Sequence, residues 1–327
     1  MSNKPELKLI NMADVEATEV EWLWYPYIPY GKITIIQGDP GEGKTTLILN
    51  LAAMLSKGDK LPESEIKTEP INIIYQTAED GLADTVKPRL IAADADYKRI
   101  TVIDESTSEL SFTDERLEQA IIETKAKLVI LDPLQAYIGA SVDMHRANEI
   151  RPIMKHLAEV AQRQQCAVVL IGHLNKAIGM KSSYRGLGSI DIPASARSVL
   201  LVGRIKDNPT VRVMAQVKSS LAPEGEPIAF ELNKETGFHF IGKYNISVDD
   251  LLNGMATTSK LERAEMLLKD KLSDGSAIRQ TELKRLAETI HIKERTLNEA
   301  KKNLGIISKN VNGKWFWLMP KEDCKNV

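Results

Sequence analysis

A glycine-rich octapeptide, Gly-Asp-Pro-Gly-Glu-Gly-Lys-Thr at residues 38–45, constrains the fold of this chain more than any other stretch. The apolar, β-branched run at 32–37 before it predicts a buried strand, and the run at 46–55 after it predicts a helix. A strand, the pattern G-x-x-x-x-G-K-T and a helix, in that order, are the context that a phosphate-binding loop requires. The sequence therefore predicts that this loop binds a nucleoside triphosphate.

Each residue type in the loop has a part in holding phosphate. Glycines let successive backbone N–H groups turn inward, and the helix N-terminus adds the positive end of its dipole. We expect Lys44 to reach the β- and γ-phosphates and Thr45 to offer its hydroxyl to Mg²⁺. The residues predicted to bind the nucleotide here are Gly38, Asp39, Pro40, Gly41, Glu42, Gly43, Lys44, Thr45 and Thr46.

Strands and helices alternate after the loop, which indicates a mostly parallel sheet with both faces covered by helices. The predicted strands lie at 71–76, 100–103, 128–131 and 167–171, and the predicted helices at 82–93, 113–124 and 147–164. Strands at 198–202, 211–217, 228–232 and 238–241 follow without long helices, which predicts an antiparallel extension of the sheet. We expect one α/β domain over residues 1–245, in which residues 1–30 lead into the sheet.

The last part of the chain has a different pattern. Residues 246–258 are predicted to be a linker. Helices at 259–272, 281–289 and 293–304, followed by a hairpin that turns at Asn312-Gly313, predict a winged helix-turn-helix domain over residues 259–327. Residues 255–327 carry 15 Lys and Arg against 10 Asp and Glu, whereas the rest of the chain carries 28 against 35. This charge asymmetry indicates an anionic partner for the last domain.

Composition argues against membrane and metal-cluster classes. No uninterrupted apolar run is long enough to span a bilayer, and the polar first residues lack the apolar core of a signal peptide. The two cysteines, Cys166 and Cys324, are far apart and form no metal-binding pattern. We expect a protein of the reducing cytoplasm with no membrane partner.

Two acidic side chains are predicted to work beside the loop. The apolar strand at 128–131 delivers Asp132 to the carboxyl edge of the sheet, where ligands of open α/β sheets bind. Asp132 is predicted to be the second group on Mg²⁺, and capping of the following turn is the alternative. Because Pro133 rather than Glu comes next, we expect Glu79, after the strand at 71–76, to orient the attacking water, with Asp80 as its rival.

Basic side chains further along the chain are candidates for sensing and stabilising phosphate. His173 follows the strand at 167–171, and its position there suits a γ-phosphate sensor as well as a structural histidine. Arg197 is predicted to reach a phosphate across a subunit boundary, since phosphoryl transfer gains heavily from such an arginine. Arg204 and Lys206 are alternatives for that role. For Arg197 itself, the alternative is that it only forms a surface salt bridge.

The third predicted helix of the last domain has one basic face. Its predicted DNA contacts are Arg295, Asn298, Lys301 and Lys302, and apolar residues take the opposite face. Because winged helices also dock proteins, protein binding is the alternative.

The motifs, in their order, resemble the RecA-like ATPases of the RepA type, a group that includes plasmid hexameric replicative helicases and related phage or mobile-element ATPases. The motifs are the loop at 38–45, Ala78-Glu79-Asp80, Ile130-Leu131-Asp132-Pro133, Gly172-His173, and Arg185-Gly186 followed by Ser189 and Ala196-Arg197. The resemblance covers about residues 20–245. It implies that Glu79 is the catalytic carboxylate, Asp132 the acid beside Mg²⁺, His173 the γ-phosphate sensor and Arg197 the finger given to the neighbouring subunit, and that Arg89 lines the site.

The same resemblance implies a hexameric ring with ATP bound between subunits. The loop at 178–189, with Lys181 and Arg185, would face a central channel for single-stranded DNA. The predicted winged helix departs from the compact plasmid helicases and is similar to the tail of phage and integrated-element versions. We therefore expect a DNA helicase or translocase that uses ATP and Mg²⁺. The alternatives are a nucleotide-switched DNA-binding regulator or replication initiator and, in a different class, a small-molecule kinase.

Overall fold

A computed structural model describes eleven stretches of the chain. They are residues 7–65, 67–139, 142–144, 146–173, 191–205, 208–233, 235–252, 260–272, 277–289, 292–311 and 313–319. The chain divides into two compact units, Met1–Leu252 and Asn253–Val327, and each is described by itself. Among the described residues, no helix has both the length and the apolar character needed to cross a membrane.

Strands outnumber α-helices in the described part of the first unit. In chain order they are β1 (Trp22–Trp24), β2 (Ile28–Pro29), β3 (Ile33–Gly38), β4 (Asn72–Thr77), β5 (Ile100–Thr101), β6 (Ala126–Asp132), β7 (Ala167–His173), β8 (Ser198–Ile205), β9 (Asn208–Ser219), β10 (Ile228–Asn233) and β11 (Gly237–Lys243). The helices of this unit are α1 (Lys44–Lys57), α2 (Lys87–Ala92), α3 (Glu115–Thr124), α4 (Ala147–Gln164), α5 (Asp191–Ser195) and α6 (Val248–Leu252).

The main sheet has the order β11-β10-β9-β8-β3-β7-β6-β4-β5. Strands β8, β3, β7, β6, β4 and β5 run parallel to their neighbours, and β9, β10 and β11 continue the sheet by antiparallel pairing. This arrangement confirms the predicted mixed α/β fold with a large, mostly parallel sheet. Because parallel strands end at a common edge, the residues that follow β3, β4, β6 and β7 all lie at the carboxyl edge of the sheet.

Two apolar layers cover the central strands. On one face, Leu47 and Leu51 of α1 pack against strand residues such as Ile36 and Ile130. On the other face, α3 and α4 pack against the alternate strand residues, for example Leu157 of α4 near Val129. Strands that are buried on both faces read as continuous apolar runs, which is why the sequence marks β3, β6 and β7 clearly.

Two predicted elements differ from the structure. The helix predicted over 82–93 begins as a π-turn, Leu82–Val86, in which the Val86 N–H bonds to the Gly81 carbonyl, and only then becomes α2. The strand predicted over 100–103 ends at Thr101. The apolar pattern continues through Val102 and Ile103, past the last hydrogen-bonded strand residue, so the sequence overestimates the length of β5.

The predicted linker at 246–258 is wrong for its first half, because α6 belongs to the first unit. The Ser247 hydroxyl accepts a hydrogen bond from the Asp250 N–H at 3.1 Å, which starts the helix. Leu251 is 4% exposed and packs into a cluster with Leu201 of β8 and Val213 of β9. The spacing of Val248, Leu251 and Leu252 is that of an amphipathic turn, and this pattern was the missed signal.

The second unit has three helices and a small sheet. The helices are α7 (Lys260–Leu272), α8 (Gln280–Thr289) and α9 (Glu294–Asn303), and the strands are β12 (Ile278–Arg279), β13 (Ile307–Val311) and β14 (Lys314–Leu318). Strand β14 lies between β12 and β13 and pairs antiparallel with both. The core contains Leu268, Leu283, Leu297 and Trp317. The predicted turn residue Asn312 lies outside the described residues, and Gly313 has φ +78°.

Candidate functional site

The glycine-rich loop lies at the carboxyl edge of the main sheet. It leaves β3 at Gly38 and enters α1 at Lys44. Gly41 and Gly43 have φ values of +79° and +89°, in the left-handed region that favours glycine. At Gly38 a Cβ atom would lie 2.2 Å from the Val202 carbonyl oxygen of β8, so only glycine fits there. The glycines therefore permit a tight backbone turn directly before the helix N-terminus.

Lys44 is the buried cation of this loop. It is 4% exposed, and its Nζ donates to the carbonyl oxygens of Gly38 and Asp39, both at 2.9 Å. The same Nζ lies 3.3 Å from His173 Nδ1. Burial lowers the pKa of Lys44, and the nearby Asp132 carboxylate opposes that shift. The loop thus holds a largely desolvated ammonium group against its own backbone, where it can bind phosphate oxygens.

Thr45 and Asp132 form the second contact between α1 and the sheet. The Thr45 hydroxyl donates to Asp132, with Oγ1 2.7 Å from Oδ2. Asp132 is 7% exposed, and burial raises the pKa of its carboxyl while the Thr45 hydrogen bond lowers it. Mg²⁺ takes oxygen ligands, and this hydroxyl and carboxylate are two such ligands side by side at the helix N-terminus. The donor set therefore fits the predicted Mg²⁺.

The structure distinguishes the two acids that follow β4. Asp80 pairs with Arg89, whose Nη1 lies 2.7 Å from Asp80 Oδ2. Glu79 is exposed, and among the described residues nothing hydrogen-bonds or pairs with its carboxylate. Its negative charge adds to the rise in the Asp132 pKa that burial causes, and it opposes the lowering of the Lys44 pKa, so Glu79 lies within electrostatic range of the loop. Of these two acids, Glu79 is the one available for a water molecule.

His173 ends β7 directly beside the loop. In the parallel pairing of β3 with β7, His173 lies opposite Gly38. Its Nδ1 contact with Lys44 places the imidazole next to the predicted γ-phosphate position.

Two arginines, from β8 and β9, lie near the loop, and Arg204 contacts it directly. Arg204 of β8 donates from Nη2 to the Gly41 carbonyl at 3.0 Å, and its Nε lies 3.7 Å from Glu42 Oε2. Arg212 of β9 is 8% exposed, and its Nε lacks a partner in the described part of the chain. A Cβ on Gly43 would lie 3.9 Å from that nitrogen. Arg212 is not among the residues predicted from the sequence, where its one signal is that it is the single charged residue of the apolar strand at 211–217.

Arg197 lies at the opposite edge of the sheet. It precedes β8, and its backbone N–H donates to the carbonyl of Ile33 at the start of β3. The loop begins at the other end of β3, about 17 Å away for a strand of this length. Arg197 is exposed, so its side chain is accessible on the surface and remote from the loop of its own chain.

In the second unit, three of the four predicted DNA contacts are exposed. Arg295, Asn298 and Lys302 lie on the surface of α9. Lys301 instead donates from Nζ to Ser308 Oγ at 2.5 Å and lies 4.8 Å from the centre of the Trp317 ring. Lys301 therefore joins α9 to the β13–β14 hairpin, and its contact with DNA stays a prediction. The helical period places Lys301 on the basic face, but a contact across the fold holds it.

The predicted channel residues Lys181 and Arg185 lie outside the described residues, as does the alternative finger Lys206. Their roles stay predictions from the sequence.

Comparisons with known proteins identify a family and several relatives of this chain. A family model described as an AAA domain matches residues 3–179. The DNA repair protein RadA of Halalkalibacterium halodurans is 25% identical over 242 residues, which are 72% of this chain and 46% of that protein. The protein RecA of Brucella canis is 24% identical over 231 residues, 66% of this chain and 60% of that protein. The chain spans about half the length of the RadA proteins that it matches.

Two solved structures are similar in part. The ATPase domain of G40P has a TM-score of 0.49 and 17% identity, over 65% of this chain and 85% of that chain. The KaiC-like protein PH0186 from Pyrococcus horikoshii OT3 has a TM-score of 0.45 and 16% identity, over 67% of this chain and 95% of that chain.

Proposed function

The chain belongs to the AAA domain family and has the fold of a RecA-like P-loop ATPase, and on that premise we propose that it is an ATP-hydrolysing motor that acts on DNA. The specific form we propose is a ring-shaped helicase or translocase of a phage or mobile element, built as a hexamer. The observation that carries the proposal is the joint placement of Lys44, Thr45, Asp132 and Glu79 at one sheet edge.

The chain's own groups divide the work of hydrolysis. Lys44 and the loop N–H groups hold the β- and γ-phosphates, and Thr45 and Asp132 hold Mg²⁺. When bound, Mg²⁺ would neutralise the negative charge that develops on the phosphate oxygens. Glu79 positions the attacking water in line with the γ-phosphate and accepts its proton. His173, in contact with Lys44, senses whether the γ-phosphate is present.

A neighbouring copy completes the site. Arg197 lies too far from its own loop to contact a phosphate there, and its exposure at the opposite sheet edge suits donation to the next subunit. Mixing chains that carry Lys44→Ala with chains that carry Arg197→Ala tests this. Each variant alone is expected to lose ATP turnover by about 10³-fold or more, and the mixture is expected to recover part of it. No recovery in a mixture that does co-assemble would overturn the shared site.

DNA binding is supported by relatives and by charge. The RadA proteins that match are named for DNA repair, and the second unit is basic. We propose that this unit is a winged helix-turn-helix in which Arg295, Asn298 and Lys302 contact duplex DNA, while Lys181 and Arg185 contact a single strand in the ring. Arg89 would line the nucleotide site beside Asp80.

The main test is ATP turnover with and without DNA. We expect DNA to raise turnover, and Lys44→Ala and Glu79→Gln to abolish it. Turnover unchanged in both variants would refute the site, and turnover that DNA never affects would refute the motor.

A second candidate is a nucleotide-switched regulator or initiator that binds duplex DNA without unwinding it. The exposed basic face of α9, in a compact unit of its own, favours it. A forked DNA substrate separates the candidates, because only a helicase releases its strand in an ATP-dependent way.

A further inference from the structure

A cavity of about 670 Å³ lies where β4 and β5 end. Gln76 and Thr77 of β4 line it, as does the segment 102–105 that follows β5. Leu82 of the π-turn and Tyr137 of the turn after β6 line it as well. Its volume falls in the range of sites that bind small molecules. We call this space the acidic cavity.

The described charged side chains that line the acidic cavity are all acidic. They are Asp104, Glu105 and Glu109. Asp104 accepts hydrogen bonds from the Ser106 N–H at 2.9 Å and from the Ser106 hydroxyl at 3.0 Å, and these bonds lower its pKa. Glu105 accepts a hydrogen bond from Nε2 of Gln76 at 2.6 Å. Two of the three carboxylates are thus fixed by their own chain, and the cavity carries a concentrated negative charge.

Tyr137 adds an unused polar group to the same cavity. The residue is 1% exposed, and its hydroxyl has no hydrogen-bond partner among the described residues. Burial raises the pKa of Tyr137, and the negative charge of Glu105 adds to the rise, so the hydroxyl keeps its proton. A buried hydroxyl without a partner costs free energy, which a ligand bonded to it would offset. This observation is independent of the acids and also indicates a polar ligand.

The lining restricts the chemical class of that ligand. Three carboxylates repel nucleotides, nucleic acids and other anions. In the part of the chain that the structure describes, no group of three or more Asp, Glu, His or Cys side chains is placed to hold a metal ion. An organic cation remains, because its ammonium groups can meet the carboxylates while its methylene groups pack on Leu82 and Val102.

We propose that the acidic cavity binds a linear polyamine. Such a molecule has several ammonium groups joined by short methylene chains, which matches carboxylates set among apolar walls. One ammonium group donates to Asp104 and Glu109, which are both exposed, and another donates to the hydroxyl oxygen of the buried Tyr137. A single Lys side chain of a partner protein would bring one cation and leave the other carboxylates without a counter-charge.

A polyamine in this cavity would contact the backbone that carries Glu79. Thr77 and Ala78 line the cavity and directly precede Glu79, and the Ala78 N–H donates to the carbonyl of Asp132 at 3.1 Å. A positive charge this close makes the Glu79 carboxylate a weaker base, so we expect the bound polyamine to lower the rate of ATP hydrolysis. This consequence rests on the proposed function, whereas the binding itself does not.

Calorimetric titration of the full chain with spermidine, a triamine, tests the site without nucleotide or DNA. We expect saturable binding of one spermidine per chain, and Glu109→Gln should weaken it about three- to tenfold. Glu123→Gln is the matched control, because Glu123 is an exposed acid of α3 outside the cavity. Absence of saturable binding, or an equal loss in both variants, would overturn the proposal.

Tyr137→Phe tests the buried hydroxyl. Because that hydroxyl has no partner in the described protein, its removal should leave the thermal unfolding temperature unchanged or raise it. The same variant should bind spermidine about threefold more weakly. Unchanged affinity for spermidine in this variant would overturn the assigned contact with Tyr137.

Competition with Mg²⁺ tests the class of cation. We expect Mg²⁺ to weaken spermidine binding only as much as NaCl of the same ionic strength does. Displacement of spermidine by an equal concentration of Mg²⁺ would show a metal-ion site and would overturn the proposal.

ATP turnover tests the effect on Glu79. At fixed ATP and Mg²⁺, spermidine should lower kcat of the wild type about twofold or more and should have a smaller effect on Glu109→Gln. An equal effect on both proteins would overturn the link to Glu79. A chain that binds spermidine as expected but turns over no ATP refutes the proposed function alone, and a chain that turns over ATP but binds no spermidine refutes this inference alone.

Discussion

The hydroxyl of Thr45 donates to Asp132 across 2.7 Å and so joins the first turn of α1 to the end of β6. The two residues are 87 positions apart in the chain. Neither the loop nor the strand alone creates this pair; the parallel alignment of β3, β7 and β6 does. Several expected outcomes follow from the pair and from its neighbours.

Replacing Asp132 by Asn should weaken the dependence of ATP turnover on Mg²⁺. The amide keeps the shape but removes the negative charge beside the Thr45 hydroxyl, so we expect the apparent Mg²⁺ affinity to fall about ten- to a hundredfold. Turnover measured over a Mg²⁺ titration checks this. Thr45→Ser, which keeps the hydroxyl, is the control and should stay within a few-fold of the wild type, whereas Thr45→Val should resemble Asp132→Asn.

The same residue should affect stability in a pH-dependent way. Burial raises the pKa of the Asp132 carboxyl in the folded protein above its value in the unfolded chain. The carboxyl therefore stabilises the fold at a pH below its unfolded-state pKa, and this stabilisation is lost as the pH rises through its folded-state pKa. Relative to Asp132→Asn, the wild type should therefore lose free energy of unfolding as the pH rises above about 4, the ordinary pKa of an aspartate. Urea unfolding of both proteins measures the difference, and a difference that grows in the opposite direction would contradict the assigned burial effect.

Arg204 should support nucleotide binding without touching the chemistry. It holds the Gly41 carbonyl and lies near Glu42, and both contacts are partly exposed. Arg204→Gln should destabilise the ordered loop by about 1 kcal/mol. This change corresponds to roughly a fivefold rise in KM for ATP, with kcat nearly unchanged. A large fall in kcat at unchanged KM would instead place Arg204 at the reacting phosphate.

Lys301 and Lys302 should have different effects although they are neighbours. Lys301→Ala removes the Ser308 hydrogen bond and the contact with the Trp317 ring, so the second unit should lose about 1–2 kcal/mol of stability. Lys302→Ala should leave stability unchanged. If Lys302 contacts a DNA phosphate as proposed, the variant should also release about one counterion fewer when it binds DNA, which lowers the slope of log affinity against log salt concentration by about one. Thermal unfolding and a salt titration of DNA affinity measure the two effects. Equal stability of the two variants would contradict the role of Lys301.

The sequence predicted the parts of the site that depend on local pattern. The loop at 38–45 is read from glycine spacing and from the change in period between strand and helix. Asp132 is read from its place after an apolar strand, since all carboxyl ends of a parallel sheet meet at one edge. Glu79 is predicted ahead of Asp80 from the sequence, and the structure adds that Arg89 pairs with Asp80.

What the sequence missed depends on contacts between distant segments. Arg212 comes near the loop only because β9 pairs with β8, which in turn pairs with β3. Lys301 fits the helical period of a free basic face, yet it hydrogen-bonds to Ser308 of the hairpin that follows. Helix α6 was assigned to a linker because its apolar turn is short, and its burial against β8 and β9 appears only in the folded unit.

The strand ends of the site are level with one another: His173 lies opposite Gly38, and Asp132 lies opposite Thr77. An extra residue in any of these strands would turn the terminal side chain to the other face of the sheet, whereas an extra residue in a connecting loop would leave the register intact. The lengths of β3, β4, β6 and β7 are thus fixed jointly. Insertions and deletions in functional homologues should accumulate in the connections and avoid these four strands.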